Sequence, residues 1–124
     1  MKLILIRHGE IDSNVEKVYA GRSAEPLNGN GRLQARAAAE QLHGTEIHSL
    51  FTSPLLRARQ TAAIIGECIL RTPIVSEAFN ELRMGPWEGL SEGEVAERYP
   101  AEFVIWNRTP ADLNLGGRET LEAL

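Results

Sequence analysis

Residues 3–6, Leu-Ile-Leu-Ile, form an unbroken apolar run that ends at Arg7-His8-Gly9-Glu10. A run with no polar face predicts a strand over residues 2–7 that is covered on both sides, as parallel strands between helix layers are. Open α/β sheets hold their ligands at the edge formed by the carboxyl ends of such strands. Arg7 and His8 are delivered to that edge. A neutral imidazole there can attack an electrophile, and the neighbouring guanidinium can hold an anion such as phosphate.

The rest of the chain alternates in the same way. Residues 10–30 are polar and rich in Gly and Pro, which predicts a loop over the strand end. A helix is predicted over 31–42, with Leu33, Ala37, Ala38 and Leu42 as its apolar stripe and Asn28 or Asn30 as its cap. A short strand follows over 47–52. Ser53 and Pro54 suit the cap and first turn of a helix that runs to about Leu70. Ile64 and Ile65 of that helix are assigned to the core with Leu33 and Leu42, and Cys68 is read as a small buried hydrophobe. A third strand is predicted over 72–76. Ser91-Glu92-Gly93-Glu94 has the pattern of a capping box, so a helix should start there and stop before Pro100. Residues 101–107 read as helical, 109–117 as a loop, and 117–124 as the first turns of another helix. Strand, helix, strand, helix, strand predicts an α/β fold of three layers, αβα, around a mostly parallel sheet.

With 124 residues the chain makes one domain, taken as 1–124. Its net charge of −4 argues against non-specific nucleic-acid binding, so anion-binding arginines must be gathered locally. One cysteine, Cys68, permits no internal disulfide and suits a reducing compartment, and no apolar stretch is long enough to span a membrane. A cytoplasmic protein without a membrane partner is expected.

Phosphoryl transfer to histidine needs a neutral imidazole, donors around the phosphate oxygens, and an acid for the leaving oxygen. His8 supplies the imidazole and Arg7 stands beside it. Arg57 falls in the first turn of the helix after the second strand, where helix N–H groups also attract anions. Asn14 carries an amide in the loop after His8. Glu81, after the third strand, is the best-placed carboxyl to donate a proton. Glu10 and Trp87 are candidates to line the pocket, with Glu10 readable as merely solvated and Trp87 read as core or wall ahead of a platform for substrate.

Arg7-His8-Gly9-Glu10, Asn14, the stretch Ser53-Pro54-Leu55-Leu56-Arg57-Ala58-Arg59-Gln60-Thr61-Ala62, and Glu81 together resemble the histidine phosphatase, or phosphoglycerate-mutase-like, superfamily. Glu81-Leu82-Arg83-Met84-Gly85-Pro86-Trp87-Glu88-Gly89-Leu90 is similar to its phosphatase branch, particularly α-ribazole phosphatase-like proteins. Tyr99-Pro100, Trp106 and Gly116-Gly117-Arg118-Glu119 fit the same branch. The resemblance implies that His8 becomes phosphohistidine, that Arg7, Asn14 and Arg57 bind the phosphoryl group, and that Glu81 acts as acid and then as base. It implies no metal and no cofactor. The expected substrate is a small phosphorylated metabolite, with α-ribazole 5'-phosphate as one candidate, and inorganic phosphate as the product ligand.

The sequence also departs from the family. Members carry a second active-site histidine in a later Ser-His-Gly-like segment, which this chain lacks, and His43 and His48 sit at the wrong ends of their elements to replace it. The C-terminal part of the fold is therefore expected to be missing. That would expose an edge of the first strand, to be covered by a homodimer or by the rest of a longer product. A weakly active or non-catalytic phosphate-binding protein and a phosphoglycerate mutase are the competing functional readings.

Overall fold

The computed structural model describes residues 1–123. It contains two compact units: Met1–Asp12 with Ala24–Asn80, and Ser13–Ser23 with the residues from Glu81 onward. A short helix, α1 (Asp12–Glu16), lies within the region predicted to be loop and carries the chain from one unit to the other.

In the first unit, β1 (Phe51–Thr52) and β2 (Ile74–Val75) pair in parallel, with Phe51 opposite Ile74 and Thr52 opposite Val75. Between them runs α3 (Leu56–Ile69), the crossover helix that a parallel pair requires. The chain thus has the α/β architecture with a parallel sheet, although each strand is shorter than predicted. Residues 2–7 form no ladder, because no described segment runs beside them as a hydrogen-bonding partner. Nor are they covered on both faces: Leu3 is 73% and Leu5 84% exposed.

Helix α2 (Gly29–Gln41) starts where Asn28 caps it, the Asn28 side-chain oxygen accepting from the Gly31 N–H at 2.8 Å. Its buried face is Gly31, Ala35 and Ala39, not the predicted stripe, and Leu33 is 60% exposed. Small residues won this face because backbone approaches backbone there. A Cβ on Gly9 would lie 2.3 Å from the Gly31 carbonyl oxygen, and one on Gly31 would lie 2.1 Å from that of Glu10. Cys68 also departs from expectation: it is exposed on α3, with Sγ 3.5 Å from the Ala39 carbonyl oxygen. Ile65 is buried as expected. Helix α3 begins two residues later than predicted, because the Ser53 hydroxyl oxygen accepts from the Leu55 N–H at 3.3 Å and closes a turn ahead of the helix.

The second unit is built around an aromatic core. Trp87, on the short 3₁₀ turn Gly85–Trp87, packs with Leu82, Met84, Val95 and Leu113. Tyr19, Tyr99 and Trp106 approach its ring at centroid distances of 5.5, 6.3 and 6.3 Å. Helix α4 (Glu92–Arg98) carries the expected capping box between Ser91 and Glu94, and α5 (Pro100–Arg108) follows it. Beyond α5 the described residues form short 3₁₀ turns, Pro110–Asp112 and Leu121–Ala123. The helix predicted over 117–124 does not appear among the described residues, and Leu124 lies outside them. No described helix is long and apolar enough to cross a membrane.

Candidate active site

The His8 segment is set by the same close contact that seats α2. Gly9 lies against Gly31, and its N–H donates to the Thr61 hydroxyl at 3.0 Å. That hydroxyl in turn donates to the Arg57 carbonyl at 2.8 Å. A single side chain on α3 thereby ties the residue after the histidine to the first turn of the helix that carries Arg57. Arg57 itself is only 3% exposed.

The imidazole of His8 is half-buried, with Nδ1 2.7 Å from the Gly9 carbonyl oxygen. A carbonyl can only accept, so Nδ1 carries the hydrogen, and in the neutral ring the lone pair resides on Nε2. A cavity of about 220 Å³ opens beside this segment, lined by Ile6, Arg7, His8, Gln34, Ala38 and Thr61 among others. The first unit thus places Arg7 and His8 on one cavity and links the backbone after His8 to the Arg57 backbone through Thr61.

Glu10 has a structural task. Its N–H donates to the Gln34 side-chain oxygen at 2.8 Å, and its Oε1 accepts from Asn28 at 3.1 Å and Asn30 at 3.2 Å. It therefore steadies the cap of α2.

Asn14, Glu81 and Trp87 belong to the second unit. Asn14 is exposed on α1. Glu81 is exposed, and its Oε1 accepts from the Leu82 N–H at 2.7 Å. Trp87 has no exposed surface, so it is a core residue and not the wall of an open pocket. His43 is exposed, and His48 pairs with Glu46 at 3.6 Å in the segment leading to β1.

Sequence reasoning missed the polar links that hold these groups. The Thr61 hydroxyl bridge joins positions 52 residues apart. Around Glu81, the Arg22 Nε donates to the Glu81 carbonyl at 2.6 Å, and Glu119 accepts from the Arg83 N–H at 2.9 Å. Only the glycine pair and the Thr-Ala spacing after Arg57 hinted at the first link, and nothing local signals the second.

Known proteins resemble this chain in sequence and in fold. Phosphoserine phosphatase 1 of Hydrogenobacter thermophilus is 32% identical over 124 residues, all of this chain and 59% of that protein. A 2,3-bisphosphoglycerate-dependent phosphoglycerate mutase of Cytophaga hutchinsonii is 35% identical over 123 residues, 97% of this chain and 57% of that one. The crystal structure of a putative alpha-ribazole-5'-P phosphatase from Escherichia coli superposes with a TM-score of 0.84 at 25% identity, covering 95% of this chain and 58% of that one. The chain therefore spans somewhat more than half the length of these relatives. The model of the histidine phosphatase superfamily (branch 1) matches residues 3–124, and the chain belongs to that family.

Proposed function

We propose that the protein hydrolyses phosphomonoesters through a phosphohistidine formed on His8. The observation that carries this reading is the hydrogen bond from His8 Nδ1 to the Gly9 carbonyl, which directs the lone pair of the neutral ring to Nε2. Nε2 attacks phosphorus, the N–P bond forms, and the P–O bond to the alcohol breaks. Glu81 gives its proton to the leaving oxygen, as a general acid does. Arg7, Asn14 and Arg57 take up the charge on the phosphoryl oxygens. Glu81, now a carboxylate, accepts a proton from water as the water oxygen bonds to phosphorus. The N–P bond breaks, inorganic phosphate leaves, and the electron pair returns to Nε2.

The substrate is a small phosphorylated metabolite of the cytoplasm. The likeness to an alpha-ribazole-5'-P phosphatase supports α-ribazole 5'-phosphate as a candidate, and phosphoserine stands beside it through the H. thermophilus relative. The exposed apolar ribbon at Leu3 and Leu5 supports a homodimer that covers it. A monomer mass in sedimentation equilibrium at micromolar concentration would refute the dimer.

The test of the activity is hydrolysis of p-nitrophenyl phosphate by the whole chain. The expected result is turnover with an acid-labile phosphohistidine, reduced by at least about 10³-fold in His8→Ala. Binding of vanadate without turnover would make the protein a phosphate binder, and phosphoryl exchange between phosphoglycerates would make it a mutase.

A further inference from the structure

Glu119 stands far along the chain from Glu81, yet its carboxylate and backbone hold the segment that follows Glu81. Its Oε2 accepts from the Arg83 N–H at 2.9 Å, and its own N–H donates to the Arg83 carbonyl at 3.0 Å. The same carboxylate pairs with the Arg22 guanidinium at 3.3 Å and the Arg83 Nε at 3.7 Å. Arg22, held in this way, turns its Nε to the Glu81 carbonyl at 2.6 Å. The backbone is thus gripped on both sides of Leu82. The Leu82 N–H in turn donates to Glu81 Oε1 at 2.7 Å, so the grip reaches the carboxyl itself.

Glu119 is in turn fixed by its neighbour. The Arg118 guanidinium carbon lies 4.4 Å from the Trp106 ring centroid and 5.4 Å from that of Trp87, a stacking only a planar cation makes well. Arg118 is buried, and that burial draws its guanidinium below its ordinary value, opposed by the charge interaction with Tyr19. Gly85 lets this loop settle: a Cβ there would lie 2.6 Å from the Gly117 carbonyl oxygen. The loop is therefore laid on the 83–85 backbone by packing, and Glu119 is presented to Arg83 and Arg22.

From this arrangement we infer that Glu119 is a positioning residue that sets the Glu81 carboxyl for proton transfer. The inference rests on the proton-donor role proposed for Glu81. Its signature follows from the chemistry of the leaving group. An alkyl phosphate must have its leaving oxygen protonated, whereas p-nitrophenolate departs readily without a proton. Loss of Glu119 should therefore harm the first reaction selectively.

The experiment compares the whole chain with Glu119→Ala, Glu119→Gln and Glu81→Gln on glycerol 2-phosphate and p-nitrophenyl phosphate, with amide exchange followed at Leu82 and Arg83. Glu119→Ala is expected to lower kcat on the alkyl ester by about 10- to 100-fold and on the aryl ester by less than about threefold, with KM little changed. Exchange at Arg83 should quicken. Glu119→Gln keeps the volume and an acceptor for the Arg83 N–H, so it should show a smaller loss in the same selective direction. That variant carries the test if the alanine variant does not fold.

Equal losses on both esters, or unchanged exchange at Arg83, would overturn the inference. For a chain that hydrolyses neither ester, unchanged exchange at Arg83 still overturns the inference, and absence of turnover overturns the reading of Glu81 on which it rests. Glu81→Gln separates the two ideas. If it leaves the ratio of the two esters as in wild type, Glu81 is not the proton donor and the positioning role falls with it. If it is selective while Glu119→Ala and Glu119→Gln are not, only Glu119 is wrongly assigned.

Discussion

In the first unit Gly9 and Gly31 meet with no side chain between them, whereas in the second Trp87 is ringed by Tyr19, Tyr99, Trp106 and Arg118. Backbone contact of the first kind buries little apolar area but leaves no room for a side chain beside the His8 segment. Aromatic contact of the second kind buries a great deal and tolerates small shifts. Most of the exposed large apolar residues, Leu3, Leu5, Leu33, Phe51, Leu70 and Phe79 among them, lie on the first unit, with Val15 and Val104 as the exposed ones of the second. The unit that carries the nucleophile thus gains precision from contacts that bring it little hydrophobic stabilisation, and the unit that carries Glu81 rests on a conventional core.

Trp87→Ala should act hardest on this contrast. Removing a fully buried indole is expected to cost about 3–5 kcal/mol in urea unfolding. Amide exchange should quicken first in α4 and α5. Equal quickening in α2 and α3 would show that the two kinds of packing do not act separately.

Gly31→Ala comes next. The added methyl meets the Glu10 carbonyl oxygen at 2.1 Å, so α2 must shift, at a cost of about 1–3 kcal/mol by the measure of overpacked sites. Turnover should fall by more than that loss of stability explains, because the shift moves the His8 segment. A variant with wild-type turnover would remove the claim that the glycine contact sets the histidine.

The smallest effect concerns α4. Ser91 donates its backbone N–H to Glu94 at 2.8 Å, and that bond, with the Ser91 hydroxyl, holds the carboxyl below its ordinary value. A lowered value in the folded state means that the contribution is complete above the ordinary carboxylate range and is lost as pH falls through the lowered value. Glu94→Gln removes the titrating carboxyl, so it should be less stable than wild type at neutral pH, with the difference narrowing in acid. A difference that widens in acid would contradict the assignment.

Local signals in the sequence were dependable where the physics is local. Asn28 caps α2, and Ser91 with Glu94 caps α4, because each partner lies within one turn. The strand over residues 2–7 fails for the opposite reason: a ladder needs a neighbour, and composition cannot supply one. Hydrophobicity assigns Leu33 to the core, yet close approach of α2 to Gly9 and Glu10 favours the residues with the least side chain. The place of Arg57 in the first turn of α3 is legible in the sequence, because the helix start is local. The bridge through Thr61 and the grip of Glu119 on Arg83 span distances along the chain that no window reveals.

The contact between Gly9 and Gly31 carries a genetic consequence. Most crowded positions can be relieved by trimming a neighbouring side chain, but here the obstructing atoms are main-chain carbonyls that every amino acid possesses. Saturation mutagenesis should therefore recover glycine alone at both codons. Second-site suppressors should not map to the facing residue, but to positions that let helix α2 move as a body.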